Sequence, residues 1–364
     1  MGIKIRKEIV SLSSYPAGKP ISEVKREYGL NEVIKLASNE NPLGCSKKAT
    51  EAAQNVSEQL NLYPDPSMYT LKKDIAEKLN VDSDQIFCGT GTDLLIRIIC
   101  TAIIDENDES IMGEVTFSRY KDATEMAGGK AVLIPMRDDY GLDLDEMAKA
   151  INPNTKIVWV CSPNNPTGKI VGEKELKSFI DKVPEDVLIV MDEAYYEYAD
   201  VNGDNYPDTL SELSNYPNMV ILRTFSKAYG LAGLRVGYGI CSSYLAGYFN
   251  RVLGPFDVNA VAQAAAIAAL KDSEFVQKSI ELNEKGKKYL YSEFDSMGLP
   301  YIETHANFIA VNVLCDDNTI FKELLKRGII VKPGSALGMP EFIRVSIGAM
   351  EDNKKFIEAL KAVK

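Results

Sequence analysis

VLIVMDEAYYEY, residues 187–198, opens with five apolar residues, Val187 to Met191, and then turns abruptly to Asp192 and Glu193. An apolar run with no polar alternation suits a strand covered on both faces, as in a parallel sheet between two helical layers. Working outward, similar short runs occur at 86–88, 110–112, 131–135, 156–161, 220–224 and 237–241. Amphipathic stretches lie between several of them, at 93–104, 119–127 and 173–182. Strands alternating with helices predict βαβ units and an α/β domain built on a largely parallel, seven-stranded sheet.

Past residue 255 the rhythm changes. An alanine-rich helix is expected at 259–271 and a long helix at 272–297, stopped by Gly298. Alternating strands at 301–313 and 342–347 flank a helix at 319–327, and a last helix covers 352–362. We therefore expect an arm over 1–35, with a turn at 15–18 and a short helix at 22–28. A large domain over 36–255 and a smaller α+β domain over 256–364 follow. The 364 residues, 45% hydrophobic and 26% charged, have material for two such cores.

Charge and cysteine usage exclude several functions. A formal net charge of −11 repels nucleic acid, and no basic run reverses it locally. The six cysteines are scattered without a C-x-x-C pair, as in a reducing, cytoplasmic setting rather than a disulfide scaffold. His305 is the only histidine, so no metal site is expected, and we read it as structural or incidental. No stretch is long and apolar enough to span a membrane, and MGIKIRKEIV lacks the core of a signal peptide.

Ligands of open α/β sheets sit beyond the carboxyl ends of the strands, so the residues after each run carry the functional argument. After 86–88 comes GTGTD, residues 89–93, opening into a helix whose free N–H groups favour an anion. The third glycine of a dinucleotide loop is absent, since position 94 is Leu94. After 156–161 comes SPNNPTG, residues 162–168; after Met191 comes Asp192 with Tyr195; after 220–224 come Ser226, Lys227 and Arg235. Singly, these are an ordinary glycine turn, a tight turn, a helix cap and a solvated lysine. Together they supply the groups that pyridoxal phosphate chemistry demands. A lysine forms the Schiff base, a buried-end carboxylate keeps the pyridine nitrogen protonated, an amide and a phenol meet the ring oxygen, and a cradle takes the phosphate.

In this order GTGTD, SPNNPTG, DEAYYEY and TFSKAYGLAGLRVGYG resemble the fold type I aminotransferases over essentially the whole chain. LASNENPLGCS (36–46), Tyr63-Pro64-Asp65 and IIVKPGSALG…IRVSIG narrow the resemblance to the histidinol-phosphate aminotransferases. The resemblance implies a homodimer using pyridoxal 5′-phosphate. It would move an amino group from histidinol phosphate, giving imidazole acetol phosphate, to 2-oxoglutarate, giving glutamate. It assigns Lys227 to the Schiff base and proton transfer, Asp192 to the pyridine nitrogen, and Asn165 and Tyr195 to the ring hydroxyl. Thr92, Asp93, Thr224, Ser226 and Arg235 would hold the cofactor phosphate, with Phe117 stacked on the ring and Tyr63 reaching in from the neighbouring subunit. Arg344, Tyr15 and Asn41 would meet the substrate.

Three positions depart from the family pattern: Leu94 for a glutamate, Val115 for a proline, and Lys332 for a second substrate arginine. Lysine supplies charge without arginine's bidentate fork. An aromatic aminotransferase and a phospho-amino-acid decarboxylase share the cofactor residues. A nicotinamide-dependent dehydrogenase would leave Lys227 without a task, and a regulatory protein on this fold would carry an added basic module.

Overall fold

A computed structural model describes residues 3–10, 12, 18–199 and 206–364. Seven strands form the central sheet: β2 (Ile86–Gly89), β3 (Glu109–Gly113), β4 (Lys130–Ile134), β5 (Thr155–Cys161), β6 (Leu188–Asp192), β7 (Met219–Thr224) and β8 (Gly237–Cys241). Their order is β2-β8-β7-β6-β5-β3-β4, and β8 alone runs antiparallel to its neighbours. The α/β class and the mainly parallel seven-stranded sheet are those expected.

The continuous apolar runs are explained by burial on both faces. Along β5, Ile157, Trp159 and Cys161 join one core while Val158 and Val160 join the other, so neither face can carry polar side chains. The register aligns Cys161 with Asp192, and Asp192 with Leu222, so the β5, β6 and β7 tips end at one edge.

The C-terminal sheet contains β9 (Tyr301–Ile302), β10 (Phe308–Asn312), β12 (Lys332–Pro333) and β13 (Phe342–Ser346). The alternating stretch at 301–313 thus resolves into two antiparallel strands joined by a turn. The long helix Ser273–Met297 ends on Gly298, which is in the left-handed region at φ 65°, as its sequence predicts.

From the arm, the helix Ile21–Tyr28 buries Val24 with Ala37, Leu325 and Ile330. β1 (Ile34–Lys35) then pairs in parallel with β11 (Ile329–Ile330), so this segment lies against the C-terminal unit. The helix Ala260–Leu270 buries Ala262, Ala265, Ala266 and Ala269 in the core of the large sheet. Its small side chains allow close approach to the helix Lys47–Val56. Among the described residues no helix is long and apolar enough to cross a membrane.

Candidate active site

The carboxyl edge of the large sheet faces β12 and β13 across a cavity of about 530 Å³. Thr92, Asp93, Phe117 and Asn165 line it from the connections after β2, β3 and β5. Asp192, Tyr195, Thr224, Ser226, Lys227 and Arg235 line it from β6, β7 and the segment before β8. Lys332 and Arg344 close the opposite side.

Asp192 is the last residue of β6 and is 2% exposed. Burial raises its carboxyl pKa to about 6, although hydrogen bonds oppose the shift. Oδ2 accepts from the Tyr120 hydroxyl at 2.7 Å and Oδ1 from the Ala194 amide at 3.1 Å. Tyr120 was not anticipated from the sequence. It stacks on Trp159 at 4.6 Å, and the Trp159 indole donates to Ser110 Oγ at 2.6 Å. Three positions after Phe117 on an adjacent helix, Tyr120 reads in sequence as a core aromatic.

Lys227 Nζ donates to the Ser38 carbonyl at 3.0 Å and lies 5.6 Å from the centre of the Tyr195 ring. Burial foremost, and then the positive charge of Arg344, lower its pKa to about 7. An amine poised there can exchange a proton near neutrality. Burial pushes the Tyr195 phenol upward, keeping it protonated, and its oxygen accepts from Asn39 Nδ2 at 2.9 Å.

The helix Thr92–Ile103 begins beside Arg235, its N-cap Gly91 at φ 81°. A Cβ on Gly91 would stand 2.7 Å from Arg235 Nη2, so the close approach of loop and guanidinium requires glycine. Arg235 Nη1 reaches Ser226 Oγ at 3.5 Å. The Asp93 carboxylate is tied to Arg119 at 2.5 Å and to Arg97 at 3.2 Å. Free helical N–H groups, the hydroxyls of Thr92, Thr224 and Ser226, and a guanidinium thus converge on one end of the cavity, a donor set suited to an anion.

At the other end Lys332 and Arg344 are paired across β12 and β13. Arg344 donates to Asn165 Oδ1 at 2.5 Å and to the Ala37 carbonyl at 2.7 Å. Burial, and next the neighbouring Arg344, lower the Lys332 pKa.

Two of the described sequence-predicted residues, Asn41 and Tyr63, are not in this cavity wall. Asn41 is turned away: its Nδ2 donates to the Ala228 carbonyl at 2.9 Å and to Ser279 Oγ at 2.8 Å. Ser38 and Asn39, just before it, line the cavity instead. Tyr63 is 82% exposed and stacks on Phe256 at 4.5 Å, outside the cavity of its own chain. Tyr15 lies outside the described residues. His305, on the turn before β10, donates its backbone N–H to the Gly168 carbonyl at 2.9 Å and does not line the cavity.

The model of the aminotransferase class I and II family matches residues 31–360. The chain belongs to that family. Its relatives include proteins named histidinol-phosphate aminotransferase from Moorella thermoacetica and Caldicellulosiruptor saccharolyticus. The first is 47% identical over 99% of this chain and 93% of its own, the second 48% over 98% and 99%. A crystal structure of histidinol-phosphate aminotransferase from Sinorhizobium meliloti, in complex with pyridoxal 5′-phosphate, superimposes with a TM-score of 0.91. It is 27% identical and covers 99% of this chain and 97% of its own. The family resemblance read from the motifs is therefore the correct one, and the dehydrogenase alternative is not favoured.

Proposed function

We propose that this aminotransferase is a pyridoxal phosphate enzyme that transfers the amino group of histidinol phosphate to 2-oxoglutarate, in histidine biosynthesis. The observation that carries the reading is the pair of anion-suited ends in one cavity, with Lys227 and Asp192 between them. The donor set at the Thr92–Arg235 end fits the cofactor phosphate, and the buried carboxylate fits a ring nitrogen that must stay protonated. When bound, the cofactor supplies an aldehyde carbon to take up the amino group and a ring that spreads the electron pair left at the substrate carbon.

The chain's own groups do the rest. The Asp192 carboxylate holds the proton on the pyridine nitrogen. Lys227 Nζ, half-buried and with a lowered pKa, takes a proton at one carbon and returns it at another. Asn165 and Tyr195 would hold the ring oxygen, and Phe117, which lines the same cavity, would pack against the ring. Arg344 and Lys332 together suit a doubly charged phosphate better than a single carboxylate. Arg344 brings the directional fork, and Lys332 brings a point charge.

We infer that the active unit is a homodimer. The exposed Tyr63, with Phe256, Leu60 and Leu62 exposed near it in sequence or space, suits contact with a second copy whose cavity Tyr63 completes. Six free thiols suit a reducing cytoplasm. The test is a donor panel: histidinol phosphate, phenylalanine and tyrosine, each with 2-oxoglutarate, on wild type and on Lys227→Ala. Histidinol phosphate should be strongly preferred, and Lys227→Ala should bind cofactor yet lose turnover by several orders of magnitude. Equal or better use of phenylalanine overturns the phosphate substrate, and turnover of Lys227→Ala within about tenfold of wild type overturns the role of Lys227.

A further inference from the structure

Asn39 stands in the left-handed region at φ 55° and is 1% exposed, with each of its polar groups engaged. Its backbone N–H donates to Ser346 Oγ at 2.8 Å, and its carbonyl accepts from Asn307 Nδ2 at 2.9 Å. The Ser346 hydroxyl donates to Asn39 Oδ1 at 3.0 Å, and Asn39 Nδ2 donates to the Tyr195 oxygen at 2.9 Å. These bonds set one another's direction. Ser346 Oγ already accepts the backbone N–H, and among the described residues the only acceptor for its own proton is Asn39 Oδ1. Turning the amide over would orphan that buried proton, at a cost no satisfied network carries. With Oδ1 committed to Ser346, only Nδ2 can face Tyr195. The phenol oxygen is then an acceptor toward Asn39, and its own proton has no protein acceptor among the described residues. It is left to point into the cavity that Tyr195 lines.

We propose that Asn39, oriented by Ser346, is a positioning residue that fixes the Tyr195 hydroxyl as a hydrogen-bond donor into the cavity, toward an anionic ring oxygen. The proposal rests on the pyridoxal phosphate reading above. It gives the C-terminal sheet a hand in the electronics of the cofactor end, since β13 carries both Ser346 and, two residues earlier on the same face, Arg344.

The experiment follows the absorbance of bound pyridoxal phosphate against pH in wild type, Asn39→Asp, Ser346→Ala and Tyr195→Phe, with cofactor affinity and melting temperature measured beside it. A donor to an anionic oxygen holds the associated protonation midpoint down, by about one pH unit per hydrogen bond. A carboxylate at position 39 can only accept, so it captures the Tyr195 proton. The midpoint should rise by about one unit in Asn39→Asp, by a smaller amount in Ser346→Ala, and in the same direction as in Tyr195→Phe. A purely structural role would lower melting temperature or affinity and leave the midpoint in place. Unmoved midpoints in Asn39→Asp and Ser346→Ala, with Tyr195→Phe shifted, overturn the proposal and leave the cofactor reading standing. An unmoved midpoint in Tyr195→Phe overturns the proposal and the cofactor role of Tyr195 together. Absence of a cofactor band in wild type overturns the underlying reading. Aspartate tolerates the left-handed backbone, and should Asn39→Asp fail to fold, the Ser346→Ala midpoint alone decides.

Discussion

Replacing Asp192 by asparagine should make the cofactor-free protein more stable and the enzyme worse. In the folded chain burial lifts the Asp192 carboxyl from 3.8 to about 6. A raised folded-state pKa means that the native protein holds the proton more tightly than the unfolded chain. This contribution to stability is therefore complete below pH 3.8 and is lost as pH rises to about 6. Two pH units correspond to about 3 kcal/mol, the cost of keeping this carboxylate ionised at neutral pH. An asparagine side chain there would be uncharged at every pH. Its amide oxygen can accept from only one of the two donors that Asp192 serves, the Ala194 N–H and the Tyr120 hydroxyl, so one lost hydrogen bond offsets part of the gain. We expect Asp192→Asn to raise the stability of the apoprotein by up to about 3 kcal/mol at pH 7.5, or roughly 3–6 °C in Tm. Near pH 4 the gain should vanish. With cofactor, kcat should fall by orders of magnitude because the nitrogen's proton loses its counter-charge. The assay is thermal unfolding of apoprotein from pH 4.5 to 8, paired with turnover of the reconstituted enzyme. An apoprotein variant no more stable than wild type at pH 7.5, or a gain independent of pH, would refute the argument.

Other consequences are equally open to measurement. Lys332→Ala should lower kcat/KM for histidinol phosphate by roughly ten- to a hundredfold, from loss of a charge-assisted hydrogen bond of about 1.5–3 kcal/mol. Phenylalanine should lose much less, and Lys332→Arg should keep the phosphate substrate; equal losses would show that Lys332 does not read phosphate. Mixing inactive Lys227→Ala protomers with Tyr63→Phe protomers should restore one intact site per heterodimer, whereas full activity of a dilute monomer would contradict an intersubunit Tyr63. Arg223 and Glu193 form a buried ion pair at 2.8 Å, with Arg223 also 3.7 Å above the Tyr196 ring. Arg223→Met should cost about 3–5 kcal/mol in urea unfolding, and adding Glu193→Gln should recover part of it; a single-variant loss under about 1 kcal/mol would show the pair to be dispensable.

The sheet was legible because burial on both faces leaves an apolar run that needs no context. Asp192 was legible because a charged residue ending such a run must be partnered, and Lys227 because it follows the next strand in company with the other groups that one chemistry needs. What escaped detection depends on backbone direction rather than residue type. Asn39 and Asn41 sit in the same polar turn, and nothing in LASNENP tells which amide faces inward. The left-handed backbone at Asn39 decides it, carrying Asn41 toward Ala228 and Ser279. Tyr120 escaped because a phenol on an amphipathic helix declares its ring and not its hydroxyl. The alanine-rich helix Ala260–Leu270 likewise gives its small size in sequence but not which core it fills.

The reversed direction of β8 has its own consequence. Gly237, its first residue, pairs with Gly89 and Thr224, the last residues of β2 and β7. Had β8 run parallel, Cys241 would stand at that edge and Arg235 would begin about 20 Å away, at about 3.3 Å per residue. A parallel partner would also demand a crossover across one face of the sheet. Residues 225–236 instead never leave the ligand edge, and this one short connection delivers Ser226, Lys227 and Arg235. The amine and the anion grip are thus a single inheritable cassette, whereas Asn165 and Asp192 arrive on strands of their own. Exchanging 225–236 between relatives would move the first group as a block and leave Asn165 and Asp192 to the recipient.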